Sequence, residues 1–234
     1  MKIKHFQKTT LIDYPGEIAC TIFLFGCSFR CGFCHNPELV LKEETEDIPQ
    51  KEVLDFLEER KKYLDGVCLT GGEPLMNIDM EFLEKIKKLG YKIKIDTNGD
   101  FPDKLQEIVN NKLVDFISMD IKSVFSKYPE ITNVNVDIEK IKKSVEIVHN
   151  SRADYEFRTT IIEDFHTKED FKQMIEGLNL IIKEKINKFV LQGFKNSGKF
   201  VDKEYSKKSN TSERYLEELK KVVEPYVEKI EIRV

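Results

Sequence analysis

Short apolar runs alternate with longer amphipathic stretches along most of the chain. The apolar runs are rich in Ile, Val and Phe and are bounded by polar residues, a pattern typical of buried strands. Seven such runs predict strands, at residues 18–25, 67–70, 92–96, 116–121, 155–161, 188–192 and 229–234. Six stretches between them carry the mixed spacing of helices with one buried face, at residues 50–63, 80–89, 102–110, 137–150, 168–183 and 212–223.

This alternation predicts an α/β protein with parallel strands joined by right-handed helical crossovers. Seven strands and six helices fit an incomplete (β/α)6-type partial TIM barrel better than a closed eightfold barrel. A doubly wound sheet remains the alternative at this stage, since the two architectures share the same order of elements.

The length of the chain, 234 residues, is enough for one well-cored α/β domain. We find neither an internal repeat nor a linker rich in Pro, Gly or Ser, so we expect one domain over residues 1–234. Residues 1–17 are expected to form an N-terminal extension that leads into the first strand.

Composition narrows the class of function. Hydrophobic residues make up 40% of the chain, charged residues 34%, and the formal net charge is −4. A mildly acidic chain argues against broad nucleic-acid binding, which usually needs a basic face. Neither a signal peptide nor an apolar run long enough for a membrane span is recognisable. We therefore expect a cytoplasmic protein with no membrane partner.

Three of the five cysteines lie close together, directly after the first predicted strand. Cys27, Cys31 and Cys34 are spaced by four and three residues, so one loop could wrap them around a single metal centre. A [4Fe–4S] cluster usually takes four cysteines, and a set of three would leave one iron open for chemistry. The alternatives are reactive thiols or a zinc site in which the adjacent His35 is the fourth ligand.

The other two cysteines call for a different interpretation. Cys20 and Cys68 lie inside predicted apolar strands, where a free cysteine behaves as a small hydrophobic residue. We expect both to be part of the core.

Further polar residues lie at the ends of successive predicted strands. The two glycines of Gly71-Gly72-Glu73-Pro74 would allow a ligand to approach the backbone, and the carboxylate of Glu73 could pair with an ammonium group. The later strand ends carry Asp96, Thr97, Asp120, Lys122, Arg158 and Gln192. Each could also be an ordinary polar residue at a strand end, and Asp120 and Lys122 could simply pair with each other. Because the carboxyl ends of barrel strands form the rim on which active sites are built, we expect the set to converge on one site.

These motifs resemble those of a known family. The cysteine triplet followed by Gly-Gly-Glu-Pro is similar to the radical S-adenosylmethionine (SAM) superfamily. Cys-His-Asn-Pro at residues 34–37 and Asp-Thr-Asn-Gly at 96–99 resemble the enzymes that activate glycyl-radical enzymes. Leu-Ile-Asp-Tyr-Pro-Gly at residues 11–16 resembles the subgroup that activates anaerobic ribonucleoside-triphosphate reductase.

The resemblance implies a role for each candidate residue. Cys27, Cys31 and Cys34 would bind three irons of one [4Fe–4S] cluster, and the amine and carboxylate of SAM would chelate the fourth. The remaining assignments place Phe33 near the adenine, Gly71, Gly72 and Glu73 at the methionyl ammonium, Asp96, Thr97 and Asp120 at a monovalent cation or SAM, Lys122 and Arg158 near the SAM carboxylate or ribose, and Gln192 near the adenine.

The resemblance also implies a reaction and its partners. A flavodoxin or ferredoxin would supply one electron, SAM would be cleaved to methionine and a 5′-deoxyadenosyl radical, and the radical would take hydrogen from a glycine of a partner glycyl-radical enzyme. Many such activating enzymes insert a domain with further clusters after the cysteine motif. Here only residues 35–49 separate the motif from the next predicted helix, which predicts a single cluster. Residues 123–136 and 194–212 follow strand ends and are candidate partner-facing segments, with disordered surface loops as the alternative.

Two other functions remain open on the sequence alone. The chain could be a radical SAM enzyme that acts on a small molecule, as in 7-deazapurine synthesis. It could also be a non-enzymatic Fe–S electron-transfer or cluster-carrier protein, which would not require the Gly-Gly-Glu strand end.

Overall fold

The computed structural model describes residues 1–41 and 46–234, and its centre is one sheet. In these ranges the sheet has eight strands, whose spatial order follows the chain. They are β1 (Ile3–Thr10), β2 (Ala19–Leu24), β3 (Gly66–Gly71), β4 (Lys92–Thr97), β5 (Phe116–Asp120), β6 (Asp154–Ile161), β7 (Ile186–Gly193) and β8 (Val227–Arg233).

Strand order and direction identify an open barrel. Strands β2 to β8 are all parallel, whereas β1 pairs with β2 in the antiparallel direction. The sheet ends at β1 on one side and at β8 on the other. A doubly wound sheet would reverse its strand order at a switch point, and this sheet does not, so that alternative is wrong and the incomplete barrel is confirmed.

Six helices form the crossovers between the parallel strands. The helices in chain order are α1 (Pro37–Val40), α2 (Gln50–Arg60), α3 (Met80–Lys88), α4 (Pro102–Asn110), α5 (Tyr128–Thr132), α6 (Ile138–Asn150), α7 (Lys168–Ile182) and α8 (Glu213–Val223). The crossovers are α2, α3, α4, α6, α7 and α8, and each was predicted to within three residues at both ends. The two short helices α1 and α5 were not predicted.

The structure adds a strand to the segment expected to be only an extension. Strand β1 lies within residues 1–17, and along most of its length its side chains are polar and at least partly exposed. Only Ile3 and Thr10 are buried. An edge strand of this kind buries too little to show an apolar run in the sequence, and its charged side chains discourage pairing with other chains.

Capping residues fix where the long helices begin, and therefore where the preceding loops end. Asp79 accepts a hydrogen bond from the backbone of α3, and Asp137 does the same for α6. Thr167 and Asp170 form a reciprocal capping box at the start of α7. The loops between strand ends and these caps are thereby held over the carboxyl rim of the sheet.

The core lies between the outer face of the sheet and the helices. Cys20 and Cys68 are fully buried in β2 and β3, as expected. Of the helices the structure describes, none has both the length and the apolar character needed to cross a membrane. The short connection predicted after the cysteine motif includes residues 42–45, which lie outside the described residues.

Candidate active site

One cavity lies at the carboxyl ends of the parallel strands, and all thirteen candidate residues line it. Its volume is about 300 Å³, at the lower end of the range of about 300–1,000 Å³ that is usual for small-molecule sites. The thirteen are Cys27, Cys31, Phe33, Cys34, Gly71, Gly72, Glu73, Asp96, Thr97, Asp120, Lys122, Arg158 and Gln192. The convergence expected from the strand-end positions is therefore present.

The cysteine loop begins directly after β2 and is held from both sides. Arg30 donates hydrogen bonds to the carbonyl oxygens of Cys27 (2.6 Å) and Phe29 (2.8 Å). Its own backbone N–H donates to the carbonyl of Thr132 at 2.8 Å, which ties the loop to α5. A loop with this many internal bonds is pre-shaped before any ligand binds.

The three thiols are free and largely buried. Burial raises the pKa of Cys27 to about 12 and that of Cys31 to about 11, and it also raises the pKa of Cys34. Since a metal ligand must be a thiolate, the charge of bound iron has to compensate the cost of ionising these buried groups.

Three cysteine thiols line one cavity and form the donor set at this site. Over residues 1–41 and 46–234, no group of three or more His, Cys, Asp or Glu side chains is placed to hold one metal ion. In a cuboidal cluster each thiolate binds a different iron, so the sulfurs need to line a shared cavity without meeting at one point. The three cysteines do line a shared cavity, and the donor set fits a [4Fe–4S] cluster.

The structure gives the two glycines of the Gly-Gly-Glu segment a steric role. Gly71 has a φ of +114°, and a Cβ there would lie 2.5 Å from the backbone nitrogen of Leu24. A Cβ on Gly72 would lie 2.0 Å from the carbonyl oxygen of Gly26. The backbone of β2 and the start of the cysteine loop occupy the space that these Cβ atoms would take, and both glycines also line the cavity. These glycines let β3 close against the cysteine loop.

Glu73 is almost fully buried, and internal donors already satisfy much of its carboxylate. Oε1 accepts hydrogen bonds from the backbone N–H of Leu75 (3.1 Å) and the hydroxyl of Thr97 (2.8 Å). Oε2 accepts from the backbone N–H of Asn98 (2.7 Å). Burial nevertheless raises the pKa of Glu73 to about 7, because it outweighs the three hydrogen bonds. The residue joins the ends of β3 and β4 and leaves one acceptor position on Oε2.

Five charged side chains form a network across the ends of β4, β5 and β6. Asp120 pairs with Lys122 (2.9 Å) and with Arg158 (2.7 Å). Asp96 pairs with Lys94, and the guanidinium of Arg158 lies 3.9 Å from the carboxylate of Asp96. Burial alone would raise the pKa of Asp120, but Arg158 and Lys122 hold it well below its usual range. Asp120 and Lys122 do pair with each other, as one reading of the sequence allowed.

Phe33 and Gln192 lie on different parts of the cavity wall. Phe33 is buried in the cysteine loop, with the ammonium of Lys122 at 5.8 Å from its ring centre. Gln192 projects from β7, beside Thr160 of β6 in the sheet register. Both line the cavity, as their positions in the sequence predicted.

Sequence reasoning missed three side chains that shape the site. Asn98 contacts the sulfur of Cys27 (3.7 Å), but its Asn-Gly context indicated only a turn. Lys94 shares a strand face with Asp96, and this two-residue spacing could have identified it. His166 accepts from the backbone N–H of Ile162 and donates to the carbonyl of Lys122 at 2.8 Å. It lies in the loop before α7, where no local pattern marks it.

The two segments expected to face a partner both contact the site. In residues 123–136, the hydroxyl of Tyr128 accepts a hydrogen bond from the backbone N–H of Lys122 (3.1 Å). In residues 194–212, the imidazole of His35 lies 2.9 Å from the hydroxyl of Ser197. Both segments therefore support the cavity wall, whatever else they bind.

Comparison with known proteins identifies the family. The family model described as the radical SAM superfamily matches residues 21–178. A protein of Methanocaldococcus jannaschii named as a candidate glycyl-radical enzyme activating enzyme is 32% identical over 95% of this chain and 91% of its own length. A pyruvate formate-lyase-activating enzyme of Clostridium pasteurianum is 33% identical over 53% of each protein.

A solved structure agrees at the level of the fold. Streptococcus suis SuiB bound to S-adenosylmethionine matches 92% of this chain with a TM-score of 0.68 and 15% sequence identity. This chain spans about half the length of SuiB and of the C. pasteurianum enzyme. The matched family uses a [4Fe–4S] cluster and SAM, and it supplies the chemistry for which the three cysteines and the cavity are suited. The chain belongs to the radical SAM superfamily.

Proposed function

We propose that the protein activates a glycyl-radical enzyme, with anaerobic ribonucleoside-triphosphate reductase as the first candidate partner. The observation that carries the proposal is the open barrel: the cavity lies at the carboxyl rim of a sheet whose described strands leave β1 and β8 unpaired with each other. An open side gives a loop of another protein a route to the cavity. The similarity to a named activating-enzyme candidate over 95% of the chain supports the same function.

In this proposal Cys27, Cys31 and Cys34 would hold three irons of one [4Fe–4S] cluster, and SAM would bind at the fourth. When bound, the cluster supplies the electron that cleaves SAM to methionine and a 5′-deoxyadenosyl radical. A flavodoxin or ferredoxin is the proposed source of that electron. The chain itself binds and orients SAM and keeps water from the cavity.

The methionyl ammonium of SAM binds at the Gly-Gly-Glu segment. Glu73 lines the cavity, and its Oε2 is the proposed acceptor because Oε2 is engaged by a single internal donor. An ammonium group placed there favours the ionised form of Glu73, whereas burial alone favours the protonated form. Binding and ionisation of Glu73 therefore support each other.

The charged network binds the anionic part of SAM. Lys122 and Arg158 lie near the SAM carboxylate or ribose in this proposal, while Phe33 and Gln192 approach the adenine. Asp96, Thr97 and Asp120 contact SAM or a monovalent cation. Asp96 and Asp120 already have cationic partners in the chain, so such a cation would share these carboxylates with Lys94, Lys122 and Arg158.

The test is transfer of hydrogen from a protein glycine. The anaerobically reconstituted enzyme, reduced and mixed with SAM and the reductase, is expected to produce a doublet electron paramagnetic resonance signal. The doublet arises because the unpaired electron couples to the remaining α-hydrogen. Deuterium on the partner glycine is expected to appear in 5′-deoxyadenosine.

Two controls fix the interpretation. Cys31→Ala is expected to give neither the doublet nor SAM cleavage, and a partner whose radical-site glycine is replaced by alanine should give cleavage without the doublet. If no glycyl-radical enzyme of the same genome gives the doublet, while a small molecule accelerates SAM cleavage and is itself transformed, the activating function is wrong and the small-molecule alternative replaces it.

A further inference from the structure

The segment that follows β7 folds back over the cysteine loop. The backbone N–H of Val201 donates to the carbonyl of Cys34 at 3.1 Å, and that of Asp202 donates to the carbonyl of Gly32 at 3.0 Å. These two bonds pair the segment with the turn between the second and third cysteines. The turn is therefore held by residues about 170 positions away in the chain, an arrangement that no local motif encodes.

Aromatic side chains reinforce this pairing. Phe194, Phe200 and Tyr205, here called the aromatic cover, contact one another and the cysteine loop. The ring of Tyr205 lies 6.2 Å from that of Phe33, and Phe200 lies 5.0 Å from His35, centre to centre. Ring contacts at such distances stabilise a packed arrangement beyond the area they bury.

The small size of Gly32 allows the aromatic cover to lie close to the cysteine loop. A Cβ on Gly32 would lie 2.5 Å from Cε2 of Tyr205 and 3.2 Å from Cβ of Asp202. The φ angle of Gly32 is not in the left-handed region, so its conformation does not require glycine. The absence of a side chain at Gly32 instead makes room for the ring of Tyr205.

We propose that Tyr205 is a positioning residue for the iron–sulfur cluster: its ring, seated on Gly32, holds the turn that carries Cys31, Phe33 and Cys34 and keeps solvent away from it. The proposal rests on the proposed cluster ligands. The reduction potential and oxidant sensitivity of an Fe–S cluster depend on solvent exposure and on the surrounding packing, so the cover acts on both. Because the ring of Phe33 contacts that of Tyr205, the aromatic cover would also hold Phe33 in place at the adenine end of the cavity.

Tyr205→Ala, Tyr205→Phe, Gly32→Ala and the double variant Gly32→Ala/Tyr205→Ala test this directly. Each is reconstituted anaerobically, its iron content is measured, and the loss of cluster absorbance after exposure to air is timed. Tyr205→Ala should bleach about tenfold faster than the unaltered protein, the change expected when one half-buried aromatic side chain no longer holds the turn closed. Its iron content before exposure should be unchanged, and its midpoint potential should shift.

The conservative and double variants separate this role from general stability. Tyr205→Phe keeps the ring and should bleach at the original rate. Gly32→Ala should bleach faster, and the double variant should bleach no faster than Tyr205→Ala alone, because the added methyl group then has no ring to displace. In the iron-free protein, Tyr205→Ala should also expose residues 194–208 to limited proteolysis.

Two results would overturn the proposal. One is a Tyr205→Ala protein that bleaches at the original rate with an unchanged midpoint potential. The other is a double variant whose bleaching rate shows the product of the two single effects, since Gly32 and Tyr205 would then act independently. If reconstituted Cys31→Ala lacks iron while Tyr205→Ala has the normal iron content, the ligand assignment holds. This is so even if Tyr205 has no positioning role.

Discussion

Glu73→Gln should remove a specific pH dependence from the stability of the iron-free protein. Burial raises the pKa of Glu73 in the folded state to about 7, against an ordinary value of 4.5. An acid whose folded-state pKa is raised contributes stability that is complete below the unfolded pKa. That contribution is lost as the pH rises through the folded pKa, because the folded state then has to ionise a buried group.

The size of the effect follows from the same pKa values. The interval from 4.5 to about 7, at about 1.4 kcal/mol for each pH unit, corresponds to about 3 kcal/mol of folding free energy. Burial of Glu73 is nearly complete, so screening by solvent reduces this value little. His166 opposes the trend: burial lowers its pKa to about 4, so its contribution to stability grows between pH 4 and 6.5. The difference between the two proteins isolates Glu73, because His166 contributes equally to both.

Urea unfolding of both reduced, iron-free proteins at pH 5, 6, 7 and 8 measures this difference. At pH 5 Glu73→Gln should be less stable, because the amide N–H₂ would face the backbone N–H of Asn98, a clash of donors that costs about 1–3 kcal/mol. As the pH rises to 8, the unaltered protein should lose most of its advantage. Parallel stability curves over this range would refute the reasoning.

Glu156 provides a matched control. It is also a fully buried glutamate on the sheet, but Arg233 and Lys188 lower its pKa to about 2 against the effect of burial. Its contribution is therefore present above pH 4.5 and is lost only as the pH falls through the folded pKa. Glu156→Gln should lower stability by a constant amount between pH 5 and 8, so its curve should run parallel to that of the unaltered protein.

Three further predictions concern other parts of the site, and two of them include a control substitution. Iron analysis should show that Cys31→Ala does not retain the iron expected for one cluster, about four atoms per chain. Cys20→Ala should retain this iron, and urea unfolding should show a loss of stability on the order of 1 kcal/mol. Gly72→Ala should destabilise the protein by more than about 2 kcal/mol, because the added methyl group would meet the carbonyl of Gly26. The control Gly177→Ala, in α7, would make only ordinary contacts. It should unfold at the same urea concentration as the unaltered protein or at a higher one. Lys122→Met should weaken SAM binding about tenfold in an equilibrium titration of samples matched for iron content, and unchanged affinity would remove Lys122 from the SAM site.

The strand-end residues could be predicted because two local rules fix where they lie. Apolar runs locate parallel strands, and polar residues at or just after the end of each run then fall on the carboxyl rim. Glu73, Asp96 and Asp120 each follow this logic, and all three line the cavity. The positions on the carboxyl rim could therefore be predicted without knowing which residues contact one another.

The residues that could not be predicted depend on contacts between distant parts of the chain. Strand β1 is polar along most of its length, so no apolar run marks it. His166 acts on Lys122 from 44 positions away, and Tyr205 acts on Gly32 from a segment that reads as a polar loop. Local periodicity carries no information on such pairs. The steric role of Gly71 and Gly72 could not be predicted for the same reason, since the groups that an added Cβ would meet belong to β2 and the cysteine loop.

The charge of the cavity connects the structural network with the cofactor chemistry. Lys94, Lys122 and Arg158 face the two carboxylates of Asp96 and Asp120, and Glu73 adds a third carboxyl group to the cavity wall. A [4Fe–4S] core held by three thiolates is anionic, and the SAM carboxylate adds further negative charge. In a buried cavity these charges are costly unless they are offset, and Lys122 and Arg158 are cationic side chains that line the cavity. We therefore infer that the network contributes to ionisation of the three cysteines, in addition to binding SAM, and that removing Lys122 affects both.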